Sequence, residues 1–227
     1  MKTHLKTKLT LASILLSFNV FAAGDLYLDH ANTDISDTAS LQNGAKLFMN
    51  YCSGCHAISF MRYNRIAEDL NLSDSLVAEY LMFTGENPGE TITTAMPKEG
   101  AVKWFGTAPP DLSLVARAKG TDWIYTYLRG FYEDDSKVFG VNNKVLENAS
   151  MPDVLWSLKE GRPEAEFDQD VRDITNFLDY VGEPAKLIRT SLGVWVLLFL
   201  SVLLVLTYLL KKEYWKDVKY GIWRPRD

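Results

Sequence analysis

Apolar residues recur at helical spacing in several separate stretches of this chain. Spacings of three and four residues are typical of amphipathic helices whose apolar side faces a protein core. The apolar positions of these predicted helices are Leu41, Ala45, Phe48 and Met49; Leu76, Val77, Tyr80 and Leu81; Trp123, Ile124, Tyr127 and Leu128; and Phe167, Val171, Ile174, Phe177, Leu178 and Val181. The last series predicts the longest amphipathic helix, from Glu164 to Val181. The pattern therefore predicts an all-α domain.

Capping residues and loop-forming residues separate these helices. Ser73 and Asp122 each precede an apolar series and are predicted N-caps. The segment from Ile58 to Leu70 is predicted to be a loop that passes into a helix. Glu86 to Pro110 and Phe131 to Pro152 show no helical period and are predicted to be long loops. Long loops in a compact domain commonly contribute to a binding site, so these two are expected to wrap a ligand.

The N-terminal end has a different apolar pattern. Lys2, Lys6 and Lys8 precede an apolar run from Leu9 to Phe21, and the small residues Ala22, Ala23 and Gly24 follow it. This order is typical of a secretory signal peptide, predicted here to cover residues 1–23. A short membrane anchor is the alternative, but the run is too short to span a bilayer comfortably. The pattern therefore predicts export from the cytoplasm.

The C-terminal end contains a second long apolar run, from Leu192 to Leu210. It has no charged residue in 19 positions, and a helix of that length rises roughly 28 Å, close to the thickness of the hydrocarbon core of a bilayer. Trp195 and Tyr208 lie where interfacial aromatic residues are expected. A buried core helix is the alternative, but such helices are rarely apolar on all sides for so long. We predict a transmembrane helix at residues 187–211.

Charge predicts the orientation of this helix. The segment from Asp25 to Ile188 holds 14 lysines and arginines against 26 aspartates and glutamates, a net charge of −12, whereas Lys211 to Asp227 has a net charge of +3. Positive segments stay on the cytoplasmic side, so residues 212–227 are predicted to be a cytoplasmic tail and residues 24–186 a periplasmic domain. An acidic domain disfavours nucleic acid and attracts a basic partner, although solubility alone also accounts for its charge.

The candidate chemistry lies at Cys52-Ser53-Gly54-Cys55-His56. Cys-x-x-Cys-His is the attachment pattern of a c-type haem, in which two thiols bond to the porphyrin and the imidazole binds the iron. One turn between Cys52 and Cys55 brings both sulfurs to one edge of the ring, and His56 then lies beneath the metal. The motif occurs once, so a single covalently attached haem c is predicted.

Other uses of the two cysteines fit the sequence less well. A redox dithiol of the thioredoxin type would follow a buried strand, whereas the segment before Cys52 has a helical pattern. A structural zinc ion needs about four ligands, and the chain has no further cysteine. A disulfide between Cys52 and Cys55 would close too short a loop to stabilise the fold much. Haem remains the best interpretation of the motif.

A six-coordinate haem needs a second axial ligand, usually methionine or histidine. His30 lies in a polar N-terminal stretch and is predicted to be solvated. Met82 fits the apolar face of a helix, which favours core packing. Met96 and Met151 remain, and each precedes a proline in a predicted loop. The spacing of the sequence does not choose between Met96 and Met151.

Several further motifs follow Cys-x-x-Cys-His in the chain. They are Arg62-Tyr63-Asn64-Arg65, Ala108-Pro109-Pro110-Asp111-Leu112-Ser113 with Arg117, Gly130-Phe131-Tyr132-Glu133-Asp134, and Met151-Pro152-Asp153-Val154-Leu155-Trp156. Taken in order, these motifs resemble the cytochrome c1 family of the cytochrome bc1 complex, and the resemblance runs from about Asp25 to the C-terminal tail. Their combination is far more specific than the haem motif alone.

The resemblance implies a cytochrome c-like haem domain with a defined set of site residues. It implies that Cys52 and Cys55 hold the haem covalently and that His56 and Met151 are its axial ligands. It also implies that Arg117 lies near a haem propionate and that the loop containing Pro110 packs on the ring. Met151 is thus favoured over Met96 by resemblance only.

The resemblance further implies a function in electron transfer and no bond chemistry by the chain itself. A quinol:cytochrome c reductase subunit of this family takes electrons from the Rieske iron–sulfur protein after quinol oxidation at cytochrome b, and passes them to a cytochrome c. The expected location is a bacterial inner membrane, in a complex expected to be dimeric. Two alternatives remain: another membrane-anchored cytochrome c, such as an oxidase subunit or electron shuttle, and a haem enzyme or gas sensor with an open coordination position.

Overall fold

A computed structural model describes residues 26–221, so the predicted signal peptide and the last six residues of the chain lie outside the described part. The described part is mostly helical. The helices are α1 (Thr38–Tyr51), α2 (Tyr63–Asp69), α3 (Asp74–Tyr80), α4 (Lys98–Phe105), α5 (Val115–Lys119), α6 (Thr121–Arg129), α7 (Trp156–Lys159), α8 (Glu164–Gly182) and α9 (Lys186–Tyr220). The strands are β1 (Ile58–Arg62), β2 (Thr91–Ile92), β3 (Phe131–Glu133) and β4 (Val141–Asn143). The predicted helical fold class with one C-terminal apolar helix is confirmed.

Helices α1 and α8 form the centre of the core. The aromatic rings of Phe48 and Phe177 meet there, with ring centroids 5.7 Å apart. The two backbones approach so closely at Gly44 that a Cβ atom there would lie 2.0 Å from the carbonyl oxygen of Asp173. Both helices were predicted from their apolar period, and both predictions are confirmed. The absence of a side chain at Gly44 is what permits this spacing.

A buried carboxylate fixes how α1 and α8 pair. Asp173 of α8 is only 4% exposed. Its oxygens accept hydrogen bonds from Ser40 Oγ at 2.7 Å, Asn43 Nδ2 at 2.8 Å and Gln169 Nε2 at 2.8 Å. A buried charged group is costly unless polar partners surround it, and sliding one helix along the other would break the two bonds from Ser40 and Asn43 together. These contacts therefore set the position of α1 on α8.

Of the two predicted N-caps, Ser73 is confirmed and Asp122 is not. Ser73 is the N-cap of α3, and its hydroxyl accepts a hydrogen bond from Leu76 N at 3.3 Å, as predicted. The prediction that Asp122 is an N-cap is wrong, because Gly120 occupies that position and Asp122 lies in the first turn of α6. The Asp122 carboxylate instead accepts a hydrogen bond from Ala31 N at 2.9 Å. A long-range contact with the N-terminal segment has replaced the local cap.

The predicted loops contain more regular structure than their sequences indicate. Strand β1 begins at Ile58, which pairs with Ile92 of β2, and β3 pairs antiparallel with β4. Helix α4 lies within the loop predicted from Glu86 to Pro110 and ends at Gly106, whose φ is +76°. The predictions were wrong for these parts because the strands are too short to show a period, and because α4 is a helix of eight residues that buries only Ala101. The remainder of both segments is irregular.

Helix α9 continues the chain beyond the domain core. Its segment from Ser191 to Tyr220 is long and apolar enough to cross a membrane, and its most apolar part has no buried residue. The helix extends past the predicted end of the membrane segment at Lys211 and stops at Gly221, which has a φ of +72°. A residue with left-handed backbone geometry is a common helix end. The predicted boundaries at residues 24, 187 and 212 stay predictions.

Candidate cofactor site

A cavity of about 500 Å³ lies beside the Cys-x-x-Cys-His motif. Its size lies within the range of small-molecule and cofactor sites. Apolar side chains of α6 and α8 form much of its wall, including Ile124, Leu128, Ile174 and Leu178. Further lining residues are Tyr51, Cys52, Cys55, His56, Phe105, Pro109, Pro110, Leu112, Val115, Lys119, Trp123, Tyr127, Leu146, Met151 and Val154. The core helices and both long irregular segments thus meet at one site.

The motif follows directly from the end of α1. Cys52 is the C-cap residue of that helix, and the turn continues with His56 N donating to Cys52 O at 2.8 Å. Both cysteines are free thiols at the cavity wall. Burial raises the pKa of the Cys52 thiol to about 12, with a smaller contribution from the neighbouring Cys55, and burial also raises the pKa of Cys55. Both thiols are therefore uncharged near neutral pH.

The imidazole of His56 is buried and held in one orientation. Its Nδ1 atom lies 2.7 Å from the carbonyl oxygen of Pro110. Because a carbonyl can only accept, Nδ1 carries the proton and donates it, which leaves a lone pair on Nε2. Burial lowers the pKa of His56, although the Pro110 hydrogen bond and the charge of Asp111 oppose that effect. A neutral imidazole with one free nitrogen is the form that binds a metal.

The segment that supplies the Pro110 carbonyl is itself anchored to β1 and to Ala57 just before it. Leu112 N donates to Ala57 O at 2.8 Å, and Ser59 N donates to Asp111 Oδ2 at 3.1 Å. Burial raises the pKa of Asp111, but hydrogen bonds from Ser113 and Ser59 outweigh it, so the pKa lies below its usual range. The ionised carboxylate accepts these bonds. The loop predicted to pack on a haem is therefore fixed beside His56.

Met151 reaches the same cavity from the segment between β4 and α7. Two buried asparagines at the end of β4 organise this segment: Asn143 Oδ1 accepts from Val145 N at 2.8 Å, and Asn142 Oδ1 accepts from Asn148 N at 2.9 Å. The Tyr127 hydroxyl lies 3.6 Å from Met151 Sδ. Met151 is thus held at the cavity wall, together with His56 and both cysteines.

The other sequence candidates lie elsewhere. Among the described residues that line the cavity, neither Met96 nor Arg117 is included. Met96 N donates to Thr94 Oγ1 at 3.2 Å, and that hydroxyl donates to Gly54 O at 2.9 Å. Arg117 is exposed, and its Cγ atom lies 3.4 Å from the position of a Cβ on Gly182. His30 is exposed as predicted, yet its Nδ1 lies 2.9 Å from Asp122 Oδ2.

Sequence reasoning missed several residues of this site. Lys119 lines the cavity and places its Nζ atom 5.4 Å from the centroid of the Trp123 ring. Tyr127 was predicted only as part of an apolar helix face, and Asn142 and Asn143 only as part of a loop. The adjacent asparagines are a turn signal, but their sequence does not show which segment they position. Nothing in the local pattern distinguishes a cavity-lining side chain from a core side chain.

The residues at this site fit a haem. The wall combines two free thiols, an imidazole whose Nε2 is available, and a thioether sulfur, on an otherwise largely apolar surface. Imidazole and thioether are the ligand pair of cytochromes c. This pair of donors suits an iron that a porphyrin already coordinates. Within residues 26–221, no three His, Cys, Asp or Glu side chains lie together as a group able to hold a metal ion.

Comparison with known proteins identifies one matching family and several similar proteins. The model of the Cytochrome C1 family matches residues 30–218. The chain is similar to cytochrome c1 of Allochromatium vinosum, with 47% identity covering 93% of this chain and 99% of that protein. It is also similar to a protein of Nitrosomonas europaea named ammonia monooxygenase gamma subunit, with 43% identity covering 92% and 97%. Cytochrome c1 of Rhodospirillum rubrum is 31% identical, covering 81% and 84%.

Proposed function

This chain belongs to the cytochrome c1 family, and from this premise we propose that it works as the haem subunit of a cytochrome bc1 complex. In that complex it takes electrons from the Rieske iron–sulfur protein and passes them to a cytochrome c. The observation that carries the proposal is the cavity shared by Cys52, Cys55, His56 and Met151. The chain relays electrons and performs no bond chemistry of its own.

We assign a role to each of these residues. Cys52 and Cys55 would hold a single haem c covalently, and His56 and Met151 would bind its iron. The site supports this assignment because Pro110 orients His56 with Nε2 available. Haem supplies the iron that gains and loses the electron.

The apolar surroundings of the site would favour the reduced state of a bound haem. Ile124, Ile174 and Leu178 line the cavity with apolar surface, and such surface would disfavour the more highly charged ferric iron. A thioether ligand raises the potential in the same direction relative to a second imidazole. The chain therefore suits an acceptor late in a respiratory chain.

Membership of the family implies cytochrome b and the Rieske protein as partners. We propose in addition that the complex is dimeric and that the electron acceptor is a basic cytochrome c. The net charge of −12 between Asp25 and Ile188 supports this acceptor, because it would steer a basic partner toward the domain. Electron transfer to such a partner should slow as ionic strength rises. A rate that does not depend on salt would exclude steering by charge.

The apolar helix α9 fits a single-pass membrane anchor of a bacterial cytochrome c1. We propose that the haem domain faces the periplasm and that residues 212–227 are cytoplasmic. The positive charge of the segment from Lys211 to Asp227 supports this orientation. A cysteine-labelling reagent that cannot cross the membrane would test it. Whole cells should label a single cysteine added at an exposed position of the domain, such as Val138, and should not label one added at Asp227.

Purification of the intact complex tests the function directly. The chain is extracted in mild detergent through a C-terminal tag, and reduced-minus-oxidised spectra and the co-purified subunits are recorded. We expect a c-type spectrum together with b-type haem, an iron–sulfur subunit and reduction by quinol. A c-type spectrum without these partners would instead indicate a free membrane-anchored cytochrome. The absence of any c-type haem would contradict the assignment of Cys52 and Cys55.

Substitution of the two candidate methionines tests the axial ligand. We expect Met151→Ala to lower the midpoint potential sharply, to abolish the long-wavelength band of methionine-ligated ferric haem, and to stop electron transfer. Met96→Ala is the matched control, because Met96 also precedes a proline in an irregular segment but does not line the cavity. It should leave the potential and the band unchanged. The reverse pattern would transfer the assignment to Met96, and an unchanged spectrum in both variants would favour an open coordination position.

A further inference from the structure

The phenol of Tyr127 makes a contact that the proposed roles do not explain. Its hydroxyl lies 3.6 Å from the sulfur of Met151, within hydrogen-bonding range for the large sulfur atom. Tyr127 lies on α6, and Met151 on the irregular segment after β4, so 24 positions of sequence separate the two residues. The residue that is proposed to bind the iron therefore has a polar partner at its donor atom.

The ring of Tyr127 is held firmly in place. It stacks on Trp123 with ring centroids 4.9 Å apart and an angle of 7° between the planes, and it meets the ring of Phe131 edge-on at 5.3 Å. Its own backbone carbonyl accepts a hydrogen bond from Asn143 Nδ2 at 2.8 Å. The same asparagine orders the backbone that leads toward Met151. One residue thus couples the position of the phenol to that of the methionine segment.

The chemistry of the two groups fixes the direction of this bond. A thioether has lone pairs but no proton, so the hydroxyl must donate and the sulfur must accept. An ordinary phenol keeps its proton at neutral pH, so the hydroxyl can donate.

We propose that Tyr127 is a positioning residue for Met151, whose sulfur it orients and whose electron density it draws away from the iron through this hydrogen bond. The inference rests on the proposed ligation of Met151. A thioether sulfur has two lone pairs, so it can bind a metal through one and accept the Tyr127 proton with the other. Ferric iron carries the higher charge, so electron donation from the sulfur stabilises ferric iron more than ferrous iron. The hydrogen bond consequently favours the reduced state and raises the reduction potential.

Replacement of Tyr127 by phenylalanine removes only the hydroxyl. In the purified complex, we expect Tyr127→Phe to decrease the equilibrium constant for reduction of the haem by up to about tenfold, the most that one neutral hydrogen bond contributes. For a one-electron couple this corresponds to at most about 59 mV. The long-wavelength band of the ferric haem should shift but remain, because Met151 still binds.

Tyr125→Phe is the matched control. Tyr125 is a buried tyrosine of the same helix whose hydroxyl lies 3.3 Å from Arg172 Nη2, and it is not among the described residues that line the cavity. The potential and the band should stay unchanged in this variant. A shift as large as that of Tyr127→Phe would show that any buried hydroxyl of α6 affects the haem, which would overturn the proposal.

Testing Tyr127→Phe in a variant of Met151 distinguishes the role of the hydrogen bond from the assignment of Met151 as a ligand. In Met151→Leu, an apolar side chain replaces the thioether and offers no atom that could accept the Tyr127 proton, so adding Tyr127→Phe should no longer change the potential. An equal shift in both backgrounds would overturn the proposal, as would an unchanged potential and band in Tyr127→Phe while Met151→Ala alters both. If Met151→Ala itself alters neither property, the ligand assignment fails, and the role of Tyr127 fails with it.

Discussion

Helices α8 and α9 follow each other in the chain but differ in what surrounds their apolar side chains. Helix α8 has 19 residues and buries an apolar side that includes Phe177 against α1, while charged side chains such as Glu164 and Glu166 face outward. Helix α9 has 35 residues and buries none of its most apolar segment against the rest of the chain. Only three residues, 183–185, separate the end of α8 at Gly182 from the start of α9 at Lys186.

The difference shows how far the surroundings decide what an apolar side chain contributes. On α8, an apolar side chain stabilises the fold because water would otherwise contact it. On α9, the same side chain adds little to the fold, because lipid is as apolar as a protein core. The apolar residues of α9 contribute instead to insertion into the membrane. The haem domain and its anchor should therefore respond to different mutations and different measurements.

Phenylalanine truncation in the two helices should give the largest contrast. Phe177→Ala removes a fully buried ring that contacts Phe48, so we expect the free energy of unfolding to fall by about 3–5 kcal/mol. Phe199→Ala changes a side chain of α9 that is 66% exposed, and the effect on domain stability should stay within about 0.5 kcal/mol. Denaturant unfolding in detergent, followed by haem absorption, measures both. Equal losses would mean that α9 packs on the domain.

A charge placed in α9 should affect insertion and leave folding of the domain intact. We expect Leu203→Arg to weaken insertion by about 2.5–3.5 kcal/mol and to move part of the chain into the fraction that alkaline carbonate extracts. The haem spectrum of the extracted chain should be unchanged. Leu76→Arg on the exposed side of α3 is the control, and this variant should fractionate like the unaltered chain. A lost haem spectrum in Leu203→Arg would show that α9 supports the domain.

The smallest expected effect concerns pH and involves only the domain in water. Burial raises the pKa of Asp122, but the hydrogen bond from Ala31 N and the pair with His30 outweigh it, so the pKa lies below its usual value. A lowered pKa stabilises the fold above the pKa of the unfolded carboxyl, about 3.9, and this stabilisation is lost as pH falls through the lower folded value. Because water screens this partly exposed pair, the contribution should not exceed about 1 kcal/mol.

Asp122→Asn tests that contribution. The variant should lose stability at pH 7 relative to the unaltered chain, and the difference should shrink as the pH falls toward 3. Thermal unfolding at a series of pH values measures it. Asp135→Asn, at an exposed carboxylate of the turn between β3 and β4, is the control and should leave the pH dependence unchanged. A difference that grows on acidification would contradict the assigned sign.

The parts of this protein that the sequence predicted are those with a local or periodic signal. The apolar period placed α1, α6 and α8, and the uncharged run placed α9. The Cys52-to-His56 motif identified the cofactor because its spacing alone matches the chemistry. A pattern of this kind depends only on residues that are neighbours along one turn or one helix, so the rest of the fold is not needed to interpret it.

Such patterns do not predict contacts between residues that are far apart in the sequence. Asp122 lies at a position in the sequence that is typical of an N-cap. Its carboxylate nevertheless accepts a hydrogen bond from the backbone N–H of Ala31, 91 positions away. Strands β1 and β2 are too short to show a period and exist because they pair with each other. In each case the partner lies far away in the chain, and its identity is not encoded near the residue in question.

The sequence by itself determined that a c-type haem motif, a helical domain and an apolar C-terminal helix occur in one chain. Spacing did not choose between Met96 and Met151, and the tertiary structure places only Met151 at the cavity with His56. The tertiary structure also shows that Tyr127, predicted only as an apolar helix position, donates a hydrogen bond to the sulfur of Met151. The physical reason is that a binding site forms where separate elements pack together, and only the packing decides which side chains face the space between them.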